Sequence, residues 1–112
     1  GMEVHTAVEN NIPVIWVVIN NGGHGMVHMG ETLQFKGKFD TSMFKQRIDA
    51  AGIAEALGAR AFRAERPGEV EAAVRAAIQT NLPSVVDVRS DPNDRPPLGI
   101  RLATLERFFK GR

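Results

Sequence analysis

The run Val14-Ile15-Trp16-Val17-Val18-Ile19 constrains this chain more than any other stretch, because it stops abruptly at Asn20-Asn21 and passes into Gly22-Gly23-His24-Gly25. A run of apolar, mostly β-branched residues this short does not make a helix, and it lacks the alternation of a half-solvated strand. It suits a strand covered on both faces, as in a parallel sheet flanked by helices. In such sheets ligands bind beyond the carboxyl ends of the strands, which is where Asn20 and Asn21 project. The clustered glycines then let the backbone approach a ligand closely, and successive N–H groups can cradle an anion.

The rest of the chain reads as scaffold. Val4, Ala7 and Val8 fall at helical spacing within Met2 to Asn10, and Asn10-Asn11 before Ile12-Pro13 supplies the stop. His28 to Thr41 has no clear period and reads as a loop with one helical turn, its length suggesting function because it starts at the glycine cluster. Thr41-Ser42 precedes a helix expected from about Met43 to Leu57, with Phe44, Ile48, Ala51 and Leu57 near one face and Gly58 as the stop. The alternating segment Ala59 to Ala64 suits a strand near a sheet edge.

Pro67, Glu69 and Glu71 open the next helix, whose Val70, Ala73, Val74, Ala77 and Ile78 form an apolar stripe. Val85 to Val88 is nearly all apolar, with Asp87 the exception, and reads as a central strand between strands 14–19 and 60–64. Strands alternating with helices give a three-layer α/β/α parallel sheet with right-handed crossovers. Residues 91–112 read as an extension: an irregular, proline-bearing stretch to Gly99, then a terminal helix over Ile100 to Phe109.

Composition narrows the function classes. A chain of 112 residues that is 43% hydrophobic supports one ordinary core, so a single domain is expected. Its net charge of +1 is made of interspersed acids and bases, which argues against nucleic acid and membrane surfaces as partners. With no cysteine there is no disulfide framework and no thiolate metal site, and no apolar run is long enough to span a bilayer. The expectation is a cytoplasmic protein.

At the Asn-Asn segment the chain resembles a known family. A strand ending in Asn20-Asn21, then Gly22-Gly23-His24-Gly25-Met26-Val27, is similar to the second half of the thiamine diphosphate motif of the acetolactate synthase and 2-keto acid decarboxylase family. That motif opens with Gly-Asp-Gly, which would fall a few residues before Gly1. Ala54-Glu55-Ala56-Leu57-Gly58-Ala59, Pro67 to Ala73 and Leu82 to Val88 resemble later elements of the same domain, in the same order. The chain is therefore identified with the C-terminal part of the thiamine diphosphate-binding domain, as a truncated reading frame or an excised piece; Gly1-Met2 could equally be a scar before a start codon.

The resemblance implies site roles. Asn21 supplies a side-chain oxygen and Gly23 its main-chain carbonyl to magnesium, a hard cation that prefers oxygen ligands. Gly23, His24, Gly25, Met26 and Val27 form the cofactor-binding set, with the backbone from His24 to Met26 facing the diphosphate and Asn20 bracing the turn. Met26, Val27 and His28 are candidates for the substrate pocket wall. Thiamine diphosphate acts as an electron sink for a 2-keto acid, in decarboxylation or carboligation. A valine at position 27, where simple pyruvate decarboxylases carry an acid, leans toward the acetolactate synthase type. The activating glutamate of the family lies in another domain, normally of a partner subunit, so no residue here is assigned a catalytic role and the chain by itself is expected to be inactive.

Other readings stay open on the residues alone. Asn-Gly-Gly is also a hairpin signal, though His24 to Gly30 is not an alternating return strand. His24 and His28 lack the third ligand that a zinc site needs. A non-catalytic domain that binds a phosphate-bearing ligand or a partner is the alternative, as is an inactive fragment. Strand 14–19 also carries an apolar edge whose family neighbour leads into the Gly-Asp-Gly, so a homo-oligomer is expected through that edge.

Overall fold

Three short strands organise the described residues, two from the apolar runs of the sequence and one from the alternating segment. The structure, a computed structural model, describes residues 1–36, 38, 41–94, 103–104 and 107–108. In chain order the elements are α1 (Met2–Glu9), β1 (Ile15–Asn20), α2 (Gly25–Phe35), α3 (Ala50–Ala56), β2 (Arg60–Ala64), α4 (Val70–Thr80) and β3 (Ser84–Arg89), with a 3-10 turn at Pro67–Glu69 before α4. They fall into two compact units. One holds Gly1–Asn20 with Ile48–Ser90, the other Asn21–Arg47 with Asp91–Arg112.

In the first unit the sheet order is β1-β3-β2, all parallel, with Ile15 opposite Ser84 and Arg60 opposite the same residue from the other side. The last of the three strands in chain order is thus the middle strand of the sheet, as its nearly all-apolar character predicts. Helices cover both faces. On one, Val4 and Val8 of α1 and Ala54 of α3 pack with Trp16, Val18 and Val85; on the other, Ala73, Val74 and Ala77 of α4 pack with Phe62, Ala64 and Val86. Val86 is fully buried, and burial of a valine side chain contributes about 1.5–3 kcal/mol. This is the expected α/β/α layering.

Three expectations need correction. The helix foreseen from Met43 to Leu57 is short: it begins only at Ala50, where the Asp49 side chain accepts from the Gly52 N–H, and Phe44 and Ile48 are exposed instead of lying on its buried face. The loop foreseen over His28 to Thr41 is helical as far as Phe35, because α2 starts at Gly25. None of its residues is buried, so no apolar stripe betrays it.

The cover expected on both faces of β1 exists on one. On the α4 side, Ile15 joins the core while Val17 and Ile19 remain 46% and 65% exposed. The terminal helix expected over Ile100 to Phe109 lies outside the described residues, apart from the helical pairs 103–104 and 107–108.

At the far end of β1, Asn20 is held firmly. Its Nδ2 donates to the Ile48 carbonyl at 2.8 Å and to Oδ1 of Asp87 at 3.0 Å. The other oxygen of Asp87 accepts from the N–H groups of Ala50 and Ala51, which lie in the first turn of α3 and have no carbonyl partner within the helix. One strand carboxylate therefore joins β1, β3 and α3.

Candidate functional site

The predicted site residues all belong to the second unit and are consecutive with the last residue of β1 in the chain. Asn21 does not sit in a hairpin ladder. Its Oδ1 accepts from the Gly23 N–H at 3.2 Å, a local side-chain turn that leaves the carbonyl of Gly23 outside the bond. Its Nδ2 lies against the α-carbon of Gly25, so closely that any side chain at 25 would collide with it. Asn21, Gly23 and Gly25 thus converge.

A second strand of chain presses on the turn from outside. The His24 N–H donates to the Ser42 carbonyl at 2.8 Å and the Phe44 N–H donates to the Gly22 carbonyl at 3.0 Å, so Gly23 and Met43 form an antiparallel bridge. A β-carbon added to Gly23 would stand 2.6 Å from the Ser42 carbonyl oxygen and 2.8 Å from the Met43 sulfur. Only glycine fits there. The His24 imidazole meets the Phe44 ring edge-on, with centroids 5.0 Å apart and an interplanar angle of 85°. Its ring is thereby used in packing, while its backbone caps the start of α2.

α2 begins immediately after. Gly25, Met26 and Val27 occupy its first turn, where N–H groups have no intrahelical acceptor and the helix dipole favours an anion. Met26 and Val27 are each 54% exposed, so they offer an apolar surface beside that positive end. A turn with an amide oxygen, a glycine carbonyl and a helix N-terminus offers oxygens of the kind a hard cation takes beside N–H groups of the kind a phosphate takes.

The sequence did not disclose what holds α2 to the turn. Glu31, one face of α2 along from the site, accepts from the hydroxyls of Thr41 at 2.6 Å and Ser42 at 2.7 Å. Those hydrogen bonds, with smaller help from the nearby His28, hold the Glu31 carboxyl below the usual glutamate range. Ser42 is almost wholly buried. Thr41-Ser42 reads locally as a helix start, but its hydroxyls are spent on a carboxylate ten and eleven residues earlier. A helical reading of 25–35 would have placed Glu31 and brought this pairing into view.

Comparison with known proteins brings one family to the site. The family described as thiamine pyrophosphate enzyme, C-terminal TPP binding domain, matches residues 1–88. The chain is 36% identical over 92 residues to a probable acetolactate synthase large subunit of Methanococcus aeolicus, covering 81% of this chain and 15% of that protein. It is 33% identical over 96 residues to a 2-hydroxyacyl-CoA lyase of Arabidopsis thaliana, covering 82% of this chain and 17% of that protein. With the acetolactate synthase large subunit of Corynebacterium glutamicum the identity is 31% over 92 residues, covering 78% of this chain and 15% of that protein. The chain therefore spans between 15% and 17% of the length of these relatives.

Proposed function

This chain belongs to the family of the C-terminal TPP binding domain of thiamine pyrophosphate enzymes, and from that premise we propose that it forms part of a thiamine diphosphate- and magnesium-dependent enzyme acting on 2-keto acids, by decarboxylation or acetolactate synthase-like carboligation. The observation that carries the reading is the convergence of Asn21, Gly23 and Gly25 directly before the first turn of α2.

In this proposal the Asn21 side-chain oxygen and the Gly23 carbonyl hold magnesium, whose shell favours oxygens and is completed by phosphate and water. The N–H groups from His24 to Val27 lie around the diphosphate, with the His24 N–H already engaged by Ser42 and those of Gly25, Met26 and Val27 in the open first turn. Bound thiamine diphosphate supplies an electron sink for the carbon skeleton of the keto acid. The exposed Met26 and Val27 side chains would wall the reacting carbon from water on this side, raising the strength of every polar contact nearby. No acid or base is assigned to the chain's own residues.

Self-association and a cytoplasmic location complete the proposal. β1 is an edge strand whose Val17 and Ile19 remain exposed, a template for pairing with another strand. No helix among the described residues is long and apolar enough to cross a membrane.

The test is a graft. Residues 1–88 replace the matching segment of an acetolactate synthase, and the holoenzyme is assayed for cofactor affinity and for product from pyruvate. Activity should survive, and Asn21→Ala should weaken cofactor binding by about tenfold or more, the scale of one lost charge-assisted contact. An Asn21→Ala graft with unchanged affinity would remove the proposed metal site. The 112-residue chain by itself contains no Gly-Asp-Gly, and calorimetry with both ligands should show no saturable binding at roughly tens of micromolar, since in this proposal the aspartate of that motif would be the charged ligand of the metal.

A further inference from the structure

We propose that Glu31 is a positioning residue of this site, acting through Thr41 and Ser42 to keep residues 42–44 pressed against the Gly22–His24 turn. The inference deepens the cofactor reading and rests on it for its functional meaning. Its structural content stands on hydrogen bonds alone.

The chain of contacts is short and continuous. Both oxygens of one carboxylate on α2 are occupied by hydroxyls of adjacent residues, Oε1 by Thr41 at 2.6 Å and Oε2 by Ser42 at 2.7 Å. Ser42 then accepts the His24 N–H through its carbonyl at 2.8 Å, and Phe44 reaches Gly22 two residues on. Hydrogen bonds to an ionised group are shorter and stronger than neutral ones, which suits Glu31 to fixing a segment that has little apolar burial of its own. No residue of α2 is fully buried, so polar contacts carry more of the work of placing it.

Without Glu31, two backbone bonds would be left to keep 42–44 on the turn, and the Ser42 hydroxyl would be left almost buried with no carboxylate. The register of His24, Gly25 and Met26 at the head of α2 would then loosen, and loosened donors bind an anion less well because they must be ordered on binding. Thr41 and Ser42 touch no ligand in this scheme. They transmit the position of Glu31 to the turn.

Amide hydrogen exchange on the 112-residue chain, followed residue by residue by NMR without any cofactor, tests the proposal. In Glu31→Ala the N–H groups of His24 and Phe44 should exchange about tenfold faster or more, the size of one hydrogen bond to a charged group, while Val86 and Val88 keep their rates. Glu31→Gln, which retains one acceptor oxygen, should recover part of the protection. Thr41→Val, which deletes one of the two hydroxyls, should give an intermediate effect even if Glu31→Ala does not fold. Unchanged rates at His24 and Phe44 in all three variants, or acceleration spread equally over β3, would overturn the assignment. Because no cofactor is present, this outcome is separate from the fate of the cofactor reading, which the graft decides.

Discussion

Asn20 Nδ2 stands 3.0 Å from Asp87 Oδ1, so an amide at the end of β1 is tied to the one acid within β3. Asp87 interrupts the apolar residues of β3 because its carboxylate has three donors to serve nearby: it takes the Asn20 amide and the Ala50 and Ala51 N–H groups, while the Ile48 carbonyl also accepts from the Asn20 amide. Replacing Asp87 by Ala should destabilise the protein by about 2–3 kcal/mol, because several half-buried donors lose their acceptor together. Urea denaturation followed by Trp16 fluorescence measures this. Asp87→Asn should cost less, since one acceptor oxygen remains.

Asp49 predicts an acid-sensitive start to α3. Its carboxyl sits below the usual aspartate range chiefly because the Gly52 N–H donates to it, and secondarily because the Arg63 guanidinium lies 3.1 Å away. A carboxyl lowered by folding stabilises the folded state above its ordinary unfolded value, about 3.9, and loses that contribution as the pH falls through the folded value. Stability curves of the protein and of Asp49→Asn should therefore be separated at neutral pH and converge in the acid range below about 4. Parallel curves at every pH would show that neither partner stabilises the ionised form.

Two glycines of α2 should respond oppositely to alanine. At Gly25 the new methyl would strike the Asn21 amide, so the graft should lose at least about tenfold in cofactor affinity if one metal contact is displaced. At Gly30, inside the helix with open space around its α-carbon, alanine should stabilise by about 0.5–1 kcal/mol through helix propensity. Calorimetry on the graft and thermal unfolding of the chain read the two effects separately.

The exposed edge of β1 should make the chain associate. Sedimentation velocity at high micromolar concentration is expected to find dimers or larger species, and Ile19→Lys, which places a charge on the edge strand, should return a monomer. A monomer at all concentrations in the unmodified chain would dismiss this edge as an interface.

The strands were legible in the sequence because each run carries its own environment: β3 is apolar over Val85, Val86 and Val88 and is central, β2 alternates and is an edge. The Asn-Asn-Gly-Gly turn was legible too, since its geometry is local, an amide bonded two residues on. α2 was not, because none of its residues is buried and its anchor, Glu31, pairs with hydroxyls beyond its own end. The start of α3 was misjudged for a related reason. Phe44 and Ile48 continue a helical spacing, yet the helix is capped at Asp49 and receives a carboxylate from a strand far later in the sequence. Nonlocal polar contacts leave little trace in local patterns.

The placement of β3 also governs when the sheet can exist. Among the described residues β1 and β2 bond to β3 and not to each other, so within this segment their pairing waits for a strand that follows both in the chain. Until β3 is made, β1 and β2 have no partner strand within this segment. Such a nascent chain folds late and from distant pieces, which slows folding and lengthens the interval in which chaperones are needed.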